Sequence, residues 1–402
     1  MKRIKKRVIK VPSKFIPKIF LILKIILLLF FIIICINNNN IYKKIENIIN
    51  NFGKISYSYK NQEKSYIPNF YLKEQLLKKI NETYEKNGFV NINQVESTIP
   101  DGRKWKKRKN KSKEINVGAA FDTKYILMAM FTMASVIDSQ SLETKLRLHF
   151  AVVDGFSAES MIKIYTLRRK IRDDVEFNFY NAKKVEIDLK NTNIKGNGIN
   201  AKLILPELLQ DDVNRIIILD TGDTLVIEDL SEMYNWKMEN KIFYGVIDIS
   251  AMKYGHISKK ILYNYINIGC FLVDVKKAKS EKIYQKIVEN KNLYEPSIIV
   301  DQDYLNDVSF GKIGILPIKF GLTPYQTILA YLKYANLTKN YQYLNEINSQ
   351  DFNLNPVIIH QWNGKWVQGG GLTIFRRIAQ YYIRLAGIWD EMCKEHPGAC
   401  KK

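Results

Sequence analysis

The sequence predicts an α/β protein with a mainly parallel sheet flanked by helices. Three observations predict this class: 46% of the 402 residues are hydrophobic, strand-length and helix-length apolar segments alternate after residue 114, and one short β-branched run ends in two carboxylates. Alternating strands and helices are typical of parallel strands joined by crossover helices that cover both faces. We therefore predict one large domain over residues 115–402.

The elements of this domain follow from the apolar patterns in chain order. Short β-branched runs predict strands, and apolar residues at helical spacing predict the helices between them. The predicted strands are Ile115–Phe121, Arg147–Val153, Val175–Tyr180, Arg215–Leu219 and Ile242–Ile247. The predicted helices are Tyr125–Ile137, Met161–Arg172, Ala201–Leu209 (despite Pro206), one near Lys276–Glu289, and a long one from Leu372 to about Glu391.

The net charge of +22 is concentrated in the first part of the chain. Residues 1–114 hold 26 Lys and Arg against 8 Asp and Glu, a net +18, whereas residues 115–402 hold 36 against 32, a net +4. A nearly neutral main domain argues against a nucleic-acid-binding surface. We expect no nucleic acid partner.

Residues 19–36 form an apolar run interrupted only by Lys24, which is close to the shortest length that spans a bilayer. Residues 1–18 are a basic tail without an acidic residue, so the positive-inside rule places this tail in the cytosol. A cleaved signal peptide is the alternative, but no small-residue cleavage site follows Ile36. The pattern favours a signal-anchor and a single-pass type II membrane protein of the Golgi or endoplasmic reticulum, with its main domain in the lumen.

Residues 37–114 are rich in Asn, Lys and Ile and lack a sustained apolar period. We interpret them as a stem with one helix around Leu72–Lys86 and a solvated basic run at Lys104–Lys113. Near the C-terminus, Cys393 and Cys400 close a small loop if they lie in an oxidising compartment, and are two free thiols otherwise.

Asp220 and Asp223 directly follow the buried strand predicted at Arg215–Leu219, with a glycine between them. Ligands of open α/β sheets bind beyond the carboxyl ends of the strands. Two carboxylates at that edge suit Mg²⁺ or Mn²⁺ held against a diphosphate. An ordinary strand followed by an Asp-Gly turn is the alternative for this motif taken alone.

Four further segments carry polar groups beside predicted elements. In residues 116–125, small side chains at a strand end leave room for a planar base on which an aromatic ring can stack. Asn267 and Gly269 stand at the mouth of an apolar strand, and residues 301–306 cluster acidic and amide groups before a helix. In residues 358–366, an imidazole suits a third metal ligand and a lysine suits a phosphate. A structural role is the alternative for each segment by itself.

These five segments, in this order, resemble glycosyltransferase family 8 over roughly Ile115 to Trp366. The resemblance implies a GT-A fold and transfer of a sugar, with retention of configuration, from a UDP-sugar donor with Mn²⁺ (or Mg²⁺). It also implies roles for individual residues. Those roles are uracil-side binding by Ala120, Asp122 and Tyr125; metal binding by Asp220, Asp223 and His360; diphosphate contacts by Gly364 and Lys365; and a sugar and acceptor site lined by Asp248, Asn267, Gly269, Asp301 and Gln302. Asp301, Gln302 and Asp248 are the catalytic candidates, with the first two near the anomeric centre.

Three features depart from the family pattern. The two metal-binding Asp of the family are one residue apart, whereas Asp220 and Asp223 are separated by two, and a glycine-containing turn is expected to absorb the extra residue. Lys202 stands where the family has a donor-binding Arg, so a bidentate contact becomes a point charge. The segment that begins at His360 is a compressed form of the family motif.

The predicted function is a membrane-anchored glycosyltransferase that moves a hexose or pentose from a UDP-sugar to a luminal glycan or glycoprotein. Two alternatives stay open. Residues 219–226 also resemble the nucleophile motif of haloacid dehalogenase-type phosphatases, although that fold carries it on the first strand. With its altered Asp spacing, the domain is alternatively a catalytically silent protein that binds UDP-sugar or glycan.

Overall fold

The structure is a computed structural model of the 402-residue chain. It describes residues 70–99, 113–153, 157–188, 197–248, 264–291, 300–322, 356–361 and 373–400. The predicted tail, the predicted signal-anchor over residues 19–36 and most of the predicted stem lie outside these ranges. Within them, no helix is both long enough and apolar enough to cross a bilayer.

The described elements alternate between strands and helices through most of the chain. The strands are β1 Phe89–Asn91, β2 Lys113–Phe121, β3 Thr144–Val152, β4 Glu176–Asn181, β5 Arg215–Leu219, β6 Thr224–Val226, β7 Phe243–Ile247, β8 Ile266–Asp274, β9 Ile313–Ile315 and β10 Ile358–His360. The helices are α1 Phe70–Asn87, α2 Ile92–Ser97, α3 Ile126–Ser139, α4 Ala158–Tyr165, α5 Leu167–Lys170, α6 Lys183–Asp188, α7 Asn197–Leu208, α8 Ser231–Tyr234, α9 Val275–Ser280, α10 Ile283–Glu289, α11 Val300–Val308, α12 Thr373–Leu385 and α13 Trp389–Glu395.

Eight of these strands form one sheet in the order β1-β4-β3-β2-β5-β8-β7-β9, and β6 pairs with β10 in a separate two-stranded ribbon. The neighbours β4-β3, β3-β2, β2-β5 and β7-β9 are parallel, whereas β1-β4, β5-β8 and β8-β7 are antiparallel. Strand β5 is buried almost throughout and is a nearly continuous apolar run, because both faces of the sheet are covered there. Strand β3 is equally buried although it contains Arg147 and His149. The predicted α/β class with a mainly parallel sheet is confirmed.

The antiparallel strand β8 positions the site. Its first residues lie beside the last residues of β5, so that Leu219 pairs with Cys270. The ladder continues one step further, because the backbone N–H of Asp220 donates to the carbonyl of Gly269 at 2.8 Å. The start of β8 and the end of β5 therefore share one edge of the sheet, the carboxyl-end edge of the parallel strands.

Several long predicted helices are divided in the structure. The helix predicted near Lys276–Glu289 is two helices, because Lys282 between them has φ +53°. The predicted C-terminal helix is also two helices, because α12 ends at Leu385 and Gly387 with φ +64° separates it from α13. Such positive φ values interrupt the helical hydrogen bonds and favour glycine. Apolar periodicity continues through a sharp turn when both helices pack on the same core, so periodicity predicted one helix in each case.

Residues 70–99 belong to the globular domain, although we predicted a stem through residue 114. Strand β1 pairs antiparallel with β4 and is the edge strand of the large sheet. The carboxylate of Glu96 is 1% exposed and accepts hydrogen bonds from Arg168 at 2.7 Å, Tyr165 at 2.7 Å and Arg169 at 3.1 Å. A buried carboxylate with three donors holds α2 against α4 and α5. The stem prediction is wrong for this part.

The C-terminal cysteines are paired. Cys393 and Cys400 form a disulfide with 5.5 Å between their Cα atoms, as the first of the two sequence alternatives expects. Cys270, by contrast, is a free thiol buried in β8.

Candidate active site at the carboxyl-end edge of the sheet

An acidic turn connects β5 to β6. Gly222 in this turn has φ +93°, and a Cβ there would lie 3.0 Å from the side chain of Met128. The N–H of Gly222 donates to Thr132 Oγ1 at 3.1 Å, which ties the turn to α3. The turn absorbs the extra residue between the two carboxylates, because Asp220 and Asp223 still face a common point.

His360 reaches the same point from the end of the chain's last described strand. It pairs with Thr224 in the β6–β10 ribbon, and its N–H donates to the carbonyl of Leu322 at 2.9 Å. The Nε2 atom of His360 lies 3.7 Å from an oxygen of Asp223. One ligand atom from each of Asp220, Asp223 and His360 lies within 4.8 Å of the others.

The imidazole of His360 lies against the backbone of Gly269. A Cβ at position 269 would lie 2.5 Å from His360 Nε2 and 2.8 Å from Nδ1, which real Cβ atoms do not do. The ring is therefore in this place because residue 269 has no side chain. The sequence predicted a site role for Gly269 but not this reason for a glycine.

The acidic pair changes the electrostatics of the ring. Burial alone lowers the pKa of His360, but the carboxylates of Asp223 and Asp220 outweigh burial, so the pKa lies above its ordinary value. A nearby negative charge stabilises the protonated form of a histidine and so raises its pKa. This corner of the molecule consequently favours a positive charge between the three side chains, whether a proton or a metal ion.

Lys202 bridges two carboxylates of the site. Its side chain is 3% exposed, and its Nζ lies 2.7 Å from Asp220 Oδ1 and 2.9 Å from Asp301 Oδ2. Burial alone lowers the pKa of Lys202, but the two carboxylates prevail and raise it, so the ammonium stays charged. A third contact, 3.4 Å to the carbonyl of Ile268, reaches the start of β8. Lys202 therefore holds the metal-binding side and the sugar side of the predicted site together.

The residues predicted to line the sugar site are joined by hydrogen bonds. Asp248 Oδ2 accepts from Asn267 Nδ2 at 3.0 Å and from Gln302 Nε2 at 2.8 Å. Gln302 Oε1 in turn accepts the backbone N–H of Ile268 at 3.2 Å, and Asn267 Oδ1 accepts the N–H of Gly269 at 2.8 Å. Residues that are up to 54 positions apart in the chain thus form one connected polar surface.

Two supporting groups had no predicted role. Asn306 on α11 pairs with both backbone groups of Ile266, donating at 2.9 Å and accepting at 2.8 Å, and so fixes α11 against β8. On the apolar helix α3, Ser135 Oγ accepts the N–H of Val226 at 3.0 Å, which fixes the strand after the acidic turn. Two sequence signals could have identified these groups: an amide side chain four residues after Gln302, and isolated hydroxyl side chains inside an otherwise apolar helix.

The predicted uracil-side residues lie at the end of β2, which is the neighbour of β5. Asp122 is buried and caps a short 3₁₀ turn by accepting the N–H of Lys124 at 2.9 Å. Ala120 is partly exposed, and Tyr125 is 51% exposed, so its ring is available for stacking. The two predicted diphosphate contacts, Gly364 and Lys365, lie outside the described residues.

Solved structures share this fold. A galactosyltransferase, LgtC, in complex with donor and acceptor sugar analogs superposes with a TM-score of 0.54 at 20% identity, covering 68% of this chain and 95% of that one. The apo structure of WbbM, a bifunctional glycosyltransferase, gives a TM-score of 0.54 at 15% identity, covering 71% of this chain and 52% of that one. These likenesses show the fold, and they confirm the GT-A-type architecture that the sequence predicted.

Sequence comparisons point the same way. A curated protein of Haemophilus influenzae, described as "Putative glycosyltransferase", is 30% identical over 129 residues, which are 31% of this chain and 38% of that protein's length. The model of the family described as "Glycosyl transferase family 8" matches residues 116–366, which contain all the site residues described above. The chain therefore belongs to glycosyl transferase family 8.

Proposed function

We propose that this glycosyltransferase moves a hexose or pentose from a UDP-sugar to a glycan or glycoprotein acceptor, with retention and with a divalent cation. The observation that carries the proposal is the convergence of Asp220, Asp223 and His360, because two distant parts of the sequence bring three possible metal-ligand atoms within 4.8 Å of one another. The phosphatase alternative is set aside, since its motif belongs on a first strand and here follows β5 within the family match.

The donor atoms at this point fit Mn²⁺ or Mg²⁺. Two carboxylate oxygens are hard ligands for either ion, and one imidazole nitrogen suits Mn²⁺ in particular. Asp220, Asp223 and His360 would hold the ion, and Gly269 leaves the space for the imidazole. When bound, such an ion neutralises charge on the diphosphate and on the departing UDP.

The remaining site residues position the sugar. Asp248 accepts hydrogen bonds from the amides of Asn267 and Gln302, which fixes these groups as a polar surface for sugar hydroxyls. Asp301 and Gln302, on the first turn of α11, are the groups that we assign to the neighbourhood of the anomeric carbon. Lys202, fixed between Asp220 and Asp301, keeps one positive charge at the boundary between diphosphate and sugar.

Removal of the metal tests the proposal. We expect the full-length protein to hydrolyse at least one UDP-sugar in the presence of Mn²⁺, and chelation with EDTA to lower the rate about a hundredfold or more, because the leaving diphosphate loses its counter-charge. Released UDP is the measurement, over a panel of UDP-glucose, UDP-galactose and UDP-xylose. Tight UDP-sugar binding without any turnover would instead identify a silent binding protein, and activity unaffected by EDTA would remove the metal from the proposal.

We also propose that the domain is luminal and tethered by residues 19–36. Supporting this are the apolar run with its basic flank and the Cys393–Cys400 disulfide, which is typical of oxidising compartments. In microsomes, we expect the full chain to resist alkaline carbonate extraction and to be protected from added protease until detergent is present. Extraction by carbonate would contradict the tether, and digestion in intact vesicles would contradict the luminal orientation.

A further inference from the structure

Helix α3 presents polar side chains to the segment that follows β5. The helix is apolar and buried along almost its whole length, and its Thr132 and Ser135 are fully buried. A hydroxyl inside such a helix destabilises the fold unless it has a hydrogen-bond partner. Both hydroxyls, and the amide oxygen of the residue that caps the C-terminal end of the helix, accept backbone N–H groups from residues 222–230. The pairs are Thr132 with Gly222 at 3.1 Å, Ser135 with Val226 at 3.0 Å, and Gln140 with Leu230 at 3.0 Å.

Thr132 is the member of this series that reaches the acidic turn. Gly222 lies between the two carboxylates, whereas Val226 and Leu230 follow both of them in the chain. Gly222 also packs closely on α3, because a Cβ there would lie 3.0 Å from Met128, four residues before Thr132 on the same face of the helix. The helix therefore fixes both the place of the turn's centre and the direction of its N–H.

The two carboxylate residues are held from other elements. The N–H of Asp220 donates to the carbonyl of Gly269 on β8 at 2.8 Å, and the carbonyl of Asp223 accepts the N–H of Gln361 at 2.6 Å. The large sheet thus holds one end of the turn, the residue after β10 holds the other end, and Thr132 holds the middle.

The middle of this turn needs such a contact. Two residues separate Asp220 from Asp223, and Gly222 between them has φ +93°, a conformation that glycine adopts readily. Glycine also has more backbone conformations open to it than any other residue, so a turn without this contact would direct its two carboxylates apart for part of the time. The apparent affinity for an ion falls with the fraction of molecules whose ligand atoms are arranged to bind it. The hydroxyl of Thr132 therefore acts on the metal site through the backbone of Gly222.

We propose that Thr132 is a positioning residue of the metal site, whose Oγ1 holds the turn in the form in which Asp220, Asp223 and His360 face one point. The inference rests on the proposed function, since it requires a divalent cation at this point. It adds a residue that acts through the backbone of the turn rather than as a ligand.

Replacing Thr132 with valine tests this role, because valine keeps the shape of the side chain and removes the hydroxyl. Mn²⁺ is titrated into the full-length protein, and electron paramagnetic resonance measures the free ion. We expect Mn²⁺ affinity to fall about ten- to a hundredfold, which is the usual effect of losing a group that orients metal ligands. Thr132→Ser keeps the hydroxyl and should bind Mn²⁺ nearly as the unmodified protein does. Turnover of UDP-sugar by Thr132→Val should recover as the Mn²⁺ concentration is raised, because excess ion selects the competent form of the turn.

Ser135→Ala is the matched control, because it removes a second fully buried hydroxyl from the same helix. The backbone partner of Ser135 follows both carboxylates, so we expect a lower thermal midpoint, as for Thr132→Val, but unchanged Mn²⁺ affinity. If Thr132→Val does not fold, Thr132→Ala is measured in its place.

The inference is overturned if a folded variant without the Thr132 hydroxyl binds Mn²⁺ as the unmodified protein does, or if neither such variant folds. It is also overturned if Ser135→Ala weakens Mn²⁺ binding equally, or if Thr132→Ser fails to keep the affinity. Failure of the unmodified protein to bind Mn²⁺ would instead overturn the metal dependence in the proposed function, and this inference with it.

Discussion

Replacing Asp223 with alanine is expected to lower sugar transfer about a thousandfold or more while the domain stays folded. Asp223 would supply one of the three ligand atoms of the proposed metal site and is the carboxylate nearest to His360, at 3.7 Å from Nε2. Its side chain is 21% exposed and sits in a turn, so its loss removes little packing. The rate of UDP release and of transfer at saturating Mn²⁺ and donor measures the effect.

The control for this change is an acid that lies outside the site. Glu232 on α8 forms an exposed ion pair with Lys319, with 54% of its side chain accessible, so Glu232→Ala should leave rate and stability nearly unchanged. Circular dichroism and the thermal midpoint establish that the Asp223 variant is folded. Full turnover by a folded Asp223→Ala protein would refute the metal assignment, whereas an unfolded variant would be replaced by Asp223→Asn and measured again.

Gly269→Ala is expected to reduce Mn²⁺ affinity about a hundredfold although residue 269 is not a metal ligand. The new methyl group would lie 2.5 Å from His360 Nε2, so the imidazole has to leave its place. The backbone of His360 is held by β6 on one side and by Leu322 on the other, so the ring moves while the strand stays. Titration with Mn²⁺ followed by calorimetry or electron paramagnetic resonance gives the affinity directly.

Gly314→Ala is the matched control for crowding. Its Cβ would lie 2.6 Å from Cδ1 of Tyr244, so it too presses on an aromatic ring beside a strand, but no metal ligand is involved. We expect it to lower stability and to leave Mn²⁺ affinity intact. A double-mutant cycle sharpens the test, because in a His360→Ala background the change at 269 should have almost no further effect on unfolding. Wild-type Mn²⁺ affinity in Gly269→Ala would show that His360 does not bind the ion.

The large features of the fold were predictable from local patterns. Strand Arg215–Leu219 was predicted with the bounds that the structure shows, because polar groups on both sides mark where the β-branched run begins and ends. The acidic turn was predictable because it directly follows this strand. Gly222 in the turn explains how Asp220 and Asp223 can face one point with two residues between them. Strand β1 was missed, since three residues in a basic, polar region carry no periodic signal and become a strand by pairing with β4.

The contacts between residues of the site could not be predicted from the sequence. Which carboxylates Lys202 would touch depends on how α7 and α11 pack against the sheet, and a charged side chain alone predicts only a charge. The need for a glycine at 269 depends on the approach of His360 from another strand. Asp248 accepts a hydrogen bond from Asn267 because β7 and β8 are neighbours, and from Gln302 because α11 packs against the start of β8. Tertiary proximity of this kind leaves no mark in local composition.

The β6–β10 ribbon has a consequence for synthesis of the protein. Asp223 is made near the middle of the chain, but the histidine beside it stands at position 360 and joins the ribbon only when β10 pairs with β6. When translation has reached α11, both carboxylates have been synthesised, but His360 and strand β10 have not. Chains truncated before β10 keep the acidic turn but lack His360, so the proposed metal site is completed only after the strands of the large sheet have been made.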